Sequence, residues 1–306
     1  MNPSSAPHLE FRSSKLEYHI SGPSFSILFD RSPGSITQWT SHGRPILSPG
    51  DRASSPIRIS FYRAPTDNDI PHDLPVWLNY GLDAMTSQLR SLTITHQTPT
   101  SIQLTSTTYL SPPVLAWGFT ATTTFTISAS GSLTLHTHLI PTGAYPQTLP
   151  RIGLDIALHS SLSTATYFGL GPGESYPDKR SAQRVGIYTA TVDELHTPYE
   201  VPQENGNRMG ARWVTMRDGE GNGVRSTAGT GTGRHFHWAA SRYSAAELAR
   251  ARHPHELVAS PDTVYWRLDV EEAGVGTGAC GPGVAEEYQV KCREVEFGIR
   301  LEPVGP

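Results

Sequence analysis

The chain has 306 residues and a formal net charge of −4, with 37% hydrophobic and 17% charged residues, 25 prolines and 28 glycines. That balance, without a Lys/Arg block, excludes electrostatic capture of a nucleic-acid backbone or an anionic membrane surface. No apolar stretch approaches the ~18 residues a membrane helix needs, and a chain this long buries enough surface to fold without a metal or a disulfide framework.

Residues 1–12 read as a flexible N-terminus, and one β body is expected over residues 13–303. It opens as a meander in which Phe25, Ile27 and Phe29 alternate, punctuated at Pro33-Gly34 and Pro49-Gly50. An aromatic strand then runs into a polar loop at Arg63, Asp67, Asn68 and Asp69, and a short helix fits between Asp73 and Gln88. Further on, Ile102 and Leu104, then Leu133, Leu135, Thr137 and Leu139, then Ile152, Leu154, Ile156 and Leu158 put apolar or β-branched side chains on one sheet face. Residues 167–213 lose that period and read as long loops around a site. The glycines from Gly219 to Gly233 read as a flexible hairpin or loop; they lack the Lys and Ser/Thr of a phosphate-binding loop, so no nucleotide cofactor is expected. Ser244 and Glu247 have capping-box spacing and predict a helix that ends by Pro254. Late strands follow at Val264–Val270 and through Val295, Phe297 and Ile299. Prolines cluster at 141, 146 and 150, but the strands on either side are alike, so one large all-β, two-sheet body is favoured.

Cys280 and Cys292 are too few for a disulfide scaffold, and a reduced state is the simpler reading. The opening MNPSSAPHLEFRSS has no charged flank leading into an apolar run. A cytoplasmic location is therefore expected.

Residues 61–69 (FYRAPTDND), 167–178 (YFGLGPGESYPD), 182–188 (AQRVGIY), 192–199 (VDELHTPY) and 202–213 (PQENGNRMGARW) closely resemble the C-terminal domain of large-type β-galactosidases. Residues 243–248 (YSAAEL), 253–257 (HPHEL) and 274–282 (GVGTGACGP) continue the match in the same order. The resemblance implies an antiparallel β-supersandwich of galactose-mutarotase-like type with one or two short helices. It also implies a partner: a separate large chain, or missing domains of the same gene, carrying the catalytic glutamates in a TIM barrel. In that family the loop holding Cys280 reaches the active site, and in one branch it carries a tryptophan that stacks on the sugar.

A retaining glycosidase needs two carboxylates about 5–5.5 Å apart. Glu271-Glu272 and Glu286-Glu287 would point to opposite sides of a strand, so no hydrolytic pair is expected here. In an extended loop Asp67 and Asp69 share a side; they either bind a sugar hydroxyl or ion, or cap turns and pair with Arg63 or Arg208. Glu174, Tyr176 and Asp178 lie in a Gly/Pro-shaped loop that suits either a site lining or an internal hydrogen-bond network. Glu204, Asn205, Asn207 and Arg208 can bind vicinal hydroxyls, with Trp213 as an apolar platform, or can stitch sheets or dock another domain. The pairs His136/His138, His235/His237 and His253/His255 lack a clustered third ligand, so no metal is expected. His196 with Glu204 or Glu287 is the candidate acid–base pair of an epimerase-like alternative.

The favoured reading is a non-hydrolytic module, without a cofactor, that binds carbohydrate and completes the sugar pocket of a barrel-bearing chain. The alternatives are an independent epimerase, lyase or cyclase, or a plain carbohydrate-binding protein. Surface shape separates them: a subunit exposes an apolar docking patch, and an independent enzyme closes a deep polar pocket.

Overall fold

The computed structural model describes residues 8–49, 55–229, 235–276 and 283–306. Strands β1 (Glu10–Ser13), β2 (Glu17–Gly22), β3 (Phe25–Asp30), β4 (Ser35–Ser41) and β5 (Arg44–Pro45) form an antiparallel five-stranded meander in sequence order. Phe25, Ile27 and Phe29 alternate inward from β3 as their period of two dictates. Burying a large apolar side chain such as Phe29 contributes about 1.5–3 kcal/mol. After β6 (Ile57–Ser60) comes α1 (Leu74–Asn79), with Pro75 in its first turn and Trp77 buried beneath it.

The main wall is built from β7 (Thr86–Thr98), β8 (Ser101–Ser111), β9 (Trp117–Ser128) and β10 (Leu133–Gly143), joined as consecutive hairpins. Two-residue β11 (Thr148–Leu149) and then β12 (Arg151–His159), β13 (Thr164–Gly171) and β14 (Arg184–Thr191) follow, with α2 (Val192–Leu195) directly after β14. The rest are β15 (Arg208–Ala211), β16 (Trp213–Arg217), β17 (Gly223–Ala228), β18 (Phe236–Ser241), α3 (Ala245–Arg250), β19 (Thr263–Glu272), β20 (Val290–Lys291) and β21 (Val295–Val304). Among the described residues, nine strands form one sheet in the order β14-β13-β16-β17-β21-β10-β9-β8-β7. A second sheet runs β15-β18-β19-β12-β6, and all pairings are antiparallel. The final strand, β21, lies in the middle of the nine-stranded sheet, held by β17 on one side and β10 on the other.

The core lies between these two sheets. Ile102, Leu104, Phe119, Phe125, Leu133 and Leu135 face Ile152, Leu154, Ile156, Trp266 and Leu268. The all-β architecture is as expected from the alternation, but the glycine-rich segment differs. Residues 223–228 are a strand paired on both edges, because Val224 and Ser226 point inward. A Cβ at Gly223 would lie only 1.9 Å from the Met216 carbonyl oxygen, so glycine there serves close strand contact rather than mobility.

The helices are short. Ser244 accepts the Glu247 amide at 3.1 Å, while the Glu247 carboxylate turns to Arg250 and the Val258 amide, leaving half a capping box. The complete box is at α2, between Thr191 and Glu194. Thr191→Ala is expected to cost about 1 kcal/mol, read from urea unfolding. Among the described residues, no helix is long and apolar enough to cross a membrane.

Candidate functional site

The second sheet turns its core face toward the nine-stranded wall. Its opposite face carries Arg151 and Asp155 from β12, and Arg267 and Asp269 from β19. These side chains sit at odd positions, between the even-numbered core residues, as a solvated face would. Here they are covered by the loops around residues 172–183 and 199–207, which bring Tyr176 and Glu204 against Arg267. Gly153 makes the close approach of β12 and β19 possible: it sits at the register shift, and a Cβ there would lie 2.1 Å from Asp269 Oδ1.

Arg63 is the hub. It is completely buried, and its five N–H donors meet Asp69 Oδ2 (3.2 Å) and Oδ1 (2.8 Å), Glu272 Oε1 (2.8 Å), and the carbonyls of Ala273 (2.9 Å) and Gly274 (3.0 Å). Its guanidinium also lies 5.7 Å from the Trp77 ring. Arg151 pairs with Asp269 (2.7 Å) and Asp155 (2.9 Å), Asp155 reaches Arg58 (3.3 Å), and Arg267 pairs with Glu204. Three buried guanidiniums thus serve five carboxylates: Asp69, Glu272, Asp155, Asp269 and Glu204. The excess of acid shows in the proton affinities. Burial raises Glu272, Arg63 opposes the rise, and Asp269 and Glu204 add to it, bringing Glu272 to about 8. Burial likewise raises Asp269 to about 6 against the pull of Arg151 and Arg267. At Asp155 burial is outweighed by Arg151 and Arg58, and its carboxyl is lowered.

The loop candidates fall around this network. Asp69 and Asp67 do not share a side, because a turn in which the Asp69 amide donates to the Thr66 carbonyl (3.0 Å) separates them. Asp69 points in to Arg63, while exposed Asp67 exchanges two 3.1 Å hydrogen bonds with Gln203. Asn68 donates to the Val275 carbonyl, and Asp178 accepts the Val275 (2.9 Å) and Gly276 (2.8 Å) amides. Both therefore anchor the base of the segment that continues to Cys280, which itself lies outside the described residues. Glu174 accepts from the Gly206 amide (2.8 Å), Thr197 (2.9 Å), Lys179 and Tyr199. Burial pushes Glu174 up, but these donors outweigh it and its carboxyl is lowered.

Tyr176 donates to Glu204 at 3.2 Å, and burial beside that carboxylate raises its phenol well above the usual range. Asn205 accepts the Thr197 amide (3.0 Å), and Asn207 donates to the Ser175 carbonyl (2.7 Å) while its Oδ1 is buried without a partner. Arg208 spans the Leu195, Gly206 and Pro172 carbonyls. Trp213 is elsewhere, on β16 of the nine-stranded sheet, under the Arg225 guanidinium at 4.3 Å.

His196 is half-buried against the Tyr243 ring (5.3 Å), its Nδ1 without a partner, and burial lowers its pKa against Glu174 and Asp193. Glu204 is locked to Arg267, and Glu287 is exposed in a 3₁₀ turn rather than a strand. Glu271 and Glu272 do diverge, toward Arg293 and Arg63. Of the histidine pairs, His253 and His255 lie together with their rings stacked at 5.5 Å, His136 and His138 each face a glutamate, and desolvation pushes His237 down to about 4. Among the described residues, no three His, Cys, Asp or Glu side chains converge as a metal set. Cys292 is a free, buried thiol, pushed up to about 12 by burial.

The sequence profile described as beta galactosidase small chain matches residues 21–301. The chain belongs to the β-galactosidase small chain family. It is 34% identical to the beta-galactosidase of Vibrio cholerae over 258 residues, covering 81% of this chain and 23% of that protein. It is 32% identical to the beta-galactosidase of Kluyveromyces lactis over 277 residues, covering 90% and 26%. The small-chain region therefore spans about a quarter of the length of these relatives. Among solved structures, galactose 1-epimerase from Lactobacillus acidophilus aligns over 98% of this chain and 99% of its own, at 6% identity and a TM-score of 0.47. That likeness is too loose to bring the epimerase's chemistry to this chain.

Proposed function

We propose that the chain is the non-hydrolytic small-chain module of a β-galactosidase, which docks on a barrel-bearing large chain and completes the wall of its sugar pocket. The observation that carries this reading is the match over residues 21–301 to a family whose full-length relatives are about four times longer. The geometry supports it. The buried carboxylates are each tied to a guanidinium, which suits a rigid pedestal better than a nucleophile and an acid. The pedestal's upper edge is the Asn68–Asp178 anchorage of residues 275–276, from which the segment containing Cys280 departs.

A docking surface lies beside it. Ile70, Val76 and Leu78 around α1 and Val114 and Leu115 in the β8–β9 turn are exposed. The two groups adjoin: Trp117 Nε1 donates to the Tyr80 carbonyl at 3.0 Å, and a Cβ at Gly81 would touch Pro112 at 2.7 Å. Such apolar exposure is the mark of a protein interface.

The expected result is that the isolated chain turns over no chromogenic galactoside and restores turnover to a β-galactosidase large chain lacking this region. Leu78→Asp combined with Val114→Asp, changes at exposed positions, should weaken that restoration at least about tenfold while leaving the melting temperature unchanged. Galactoside hydrolysis by the chain alone, abolished by changing one of its own acids, would overturn the reading.

A further inference from the structure

Among the described residues, the two large sheets end in four strand edges, and three of them are blunted. β7 breaks register with β8 at Leu89/Ser91 and again at Ile94/His96, β15 breaks register with β18, and β6 has four residues. Bulges and short strands are how a sheet margin avoids pairing with another chain. β14 has neither. All eight of its residues, Arg184–Thr191, pair with β13 without a shift. Its sequence, RVGIYTAT, holds no proline or lysine, and its single charge, Arg184, stands at one end. Val185 and Ile187, 53% and 66% exposed, put two β-branched side chains on one face of this margin.

The backbone groups on the open side can be named. In an antiparallel ladder, residues alternate between bonding to the neighbour and turning away from it. The Val192 amide donates to the Ser163 carbonyl at 2.8 Å, one step beyond the Thr191–Thr164 pair, so the even-numbered residues of β14 bond to β13. The N–H and C=O groups of Val185, Ile187 and Thr189 therefore face away from β13. Thr191 has the same phase, but its amide already donates to Glu194 at 2.8 Å within the α2 capping box. Three odd-numbered residues remain as a template for one more strand, with Ile187 at their centre.

Charge selects the strand. Exposed Arg180 and Arg184 lie at the start of β14, and exposed Asp193 follows its end in α2, with only a 3.6 Å contact to Arg242. A second β14 running antiparallel about a two-fold axis at Ile187 sets the basic start of each copy against the acidic end of the other. A parallel neighbour of the same sequence would set like charges together.

We propose that β14 is a self-association edge, at which two copies of this chain pair Ile187 with Ile187 and Val185 with Thr189 and continue the nine-stranded sheet across a two-fold axis. The edge lies at the opposite margin of that sheet from β7 and β8. It does not rest on the β-galactosidase reading, and its readout is mass rather than turnover, so either idea can fail without the other.

Sedimentation equilibrium of the full chain should show a monomer–dimer equilibrium in the micromolar range, as suits an interface built on one strand. Ile187→Lys sets two ammonium groups against each other at the axis and should weaken association at least about tenfold, with native circular dichroism because the position is exposed. Arg184→Glu should weaken it several-fold, and adding Asp193→Lys should restore it. Ile187→Cys should form a symmetric disulfide on mild oxidation with diamide, since the Cα atoms of such a pair lie about 5.5 Å apart. The unaltered chain, with Cys280 and Cys292, is the control. A chain that stays monomeric throughout the micromolar range overturns the proposal. So does a dimer that Ile187→Lys leaves intact and Ile187→Cys does not cross-link. If the chain alone is monomeric and Ile187→Lys blocks its restoration of a large chain, the edge belongs to that large chain and self-pairing is wrong.

Discussion

Arg63→Met is expected to destabilise the protein by about 3 kcal/mol, seen as a fall in the urea midpoint with an unchanged slope. The methionine roughly matches the volume of the arginine stem but removes five hydrogen bonds at once. Its two carboxylate partners respond differently. Glu272, already raised by burial, escapes by keeping its proton. Asp69 is fully buried, and besides the guanidinium it is left with only the Thr66 amide donating to its carboxylate. It therefore carries most of the penalty of an unpaired buried charge. Adding Asp69→Asn and Glu272→Gln to Arg63→Met should recover more than half of the loss, because removing all the charges also removes their desolvation. A single-variant effect below about 1 kcal/mol would show that the hub is not a stabilising element.

Stability is also expected to decline as pH rises from about 5 to 8, and Glu272→Gln should flatten that decline. An unfolded glutamate releases its proton near 4.5, whereas Glu272 in the fold holds it to about 8. Between these values the native state binds more protons than the unfolded one, so unfolding free energy falls with increasing pH. The contribution is fully present below about 4.5 and lost as pH passes through about 8. Asp155 and Glu174, lowered by their partners, act in the opposite sense, and their contribution disappears as pH falls below the ordinary carboxylate range. Urea titrations at intervals of one pH unit, run on both proteins, provide the check: identical pH slopes would exclude Glu272 as the responsible group.

The strands were legible because a period of two, written in Ile, Leu, Phe and Thr, survives any tertiary context that buries one face of a sheet. The same rule concealed half of the network. Arg151, Asp155, Arg267 and Asp269 occupy the polar phase of their strands, which from local pattern alone means solvent. Loops arriving from 172–183 and 199–207 bury that face, and nothing local to β12 or β19 announces them. The loop candidates were easier, since Glu174, Tyr176, Glu204, Asn207 and Arg208 stand in dense polar runs, and the structure brings them together. Trp213 shows the limit of sequence proximity: five residues beyond Arg208, it belongs to another sheet. The Asp67–Asp69 geometry failed because an extended backbone was assumed where a turn reverses it. The strand at 223–228 was missed because glycine usually signals a bend, while Gly223 here serves strand contact.

The position of β21 sets the order in which the molecule can be completed. The hairpin block from β7 to β10 and the block of β13, β14, β16 and β17 each pair within themselves, and among the described residues only the ten-residue β21 bridges them. Both blocks precede β21 in the sequence, so each keeps an unpaired edge until β21 inserts between them. Closure of the wall is thus a long-range event, and removing β21 would leave two half-sheets rather than a slightly narrower one.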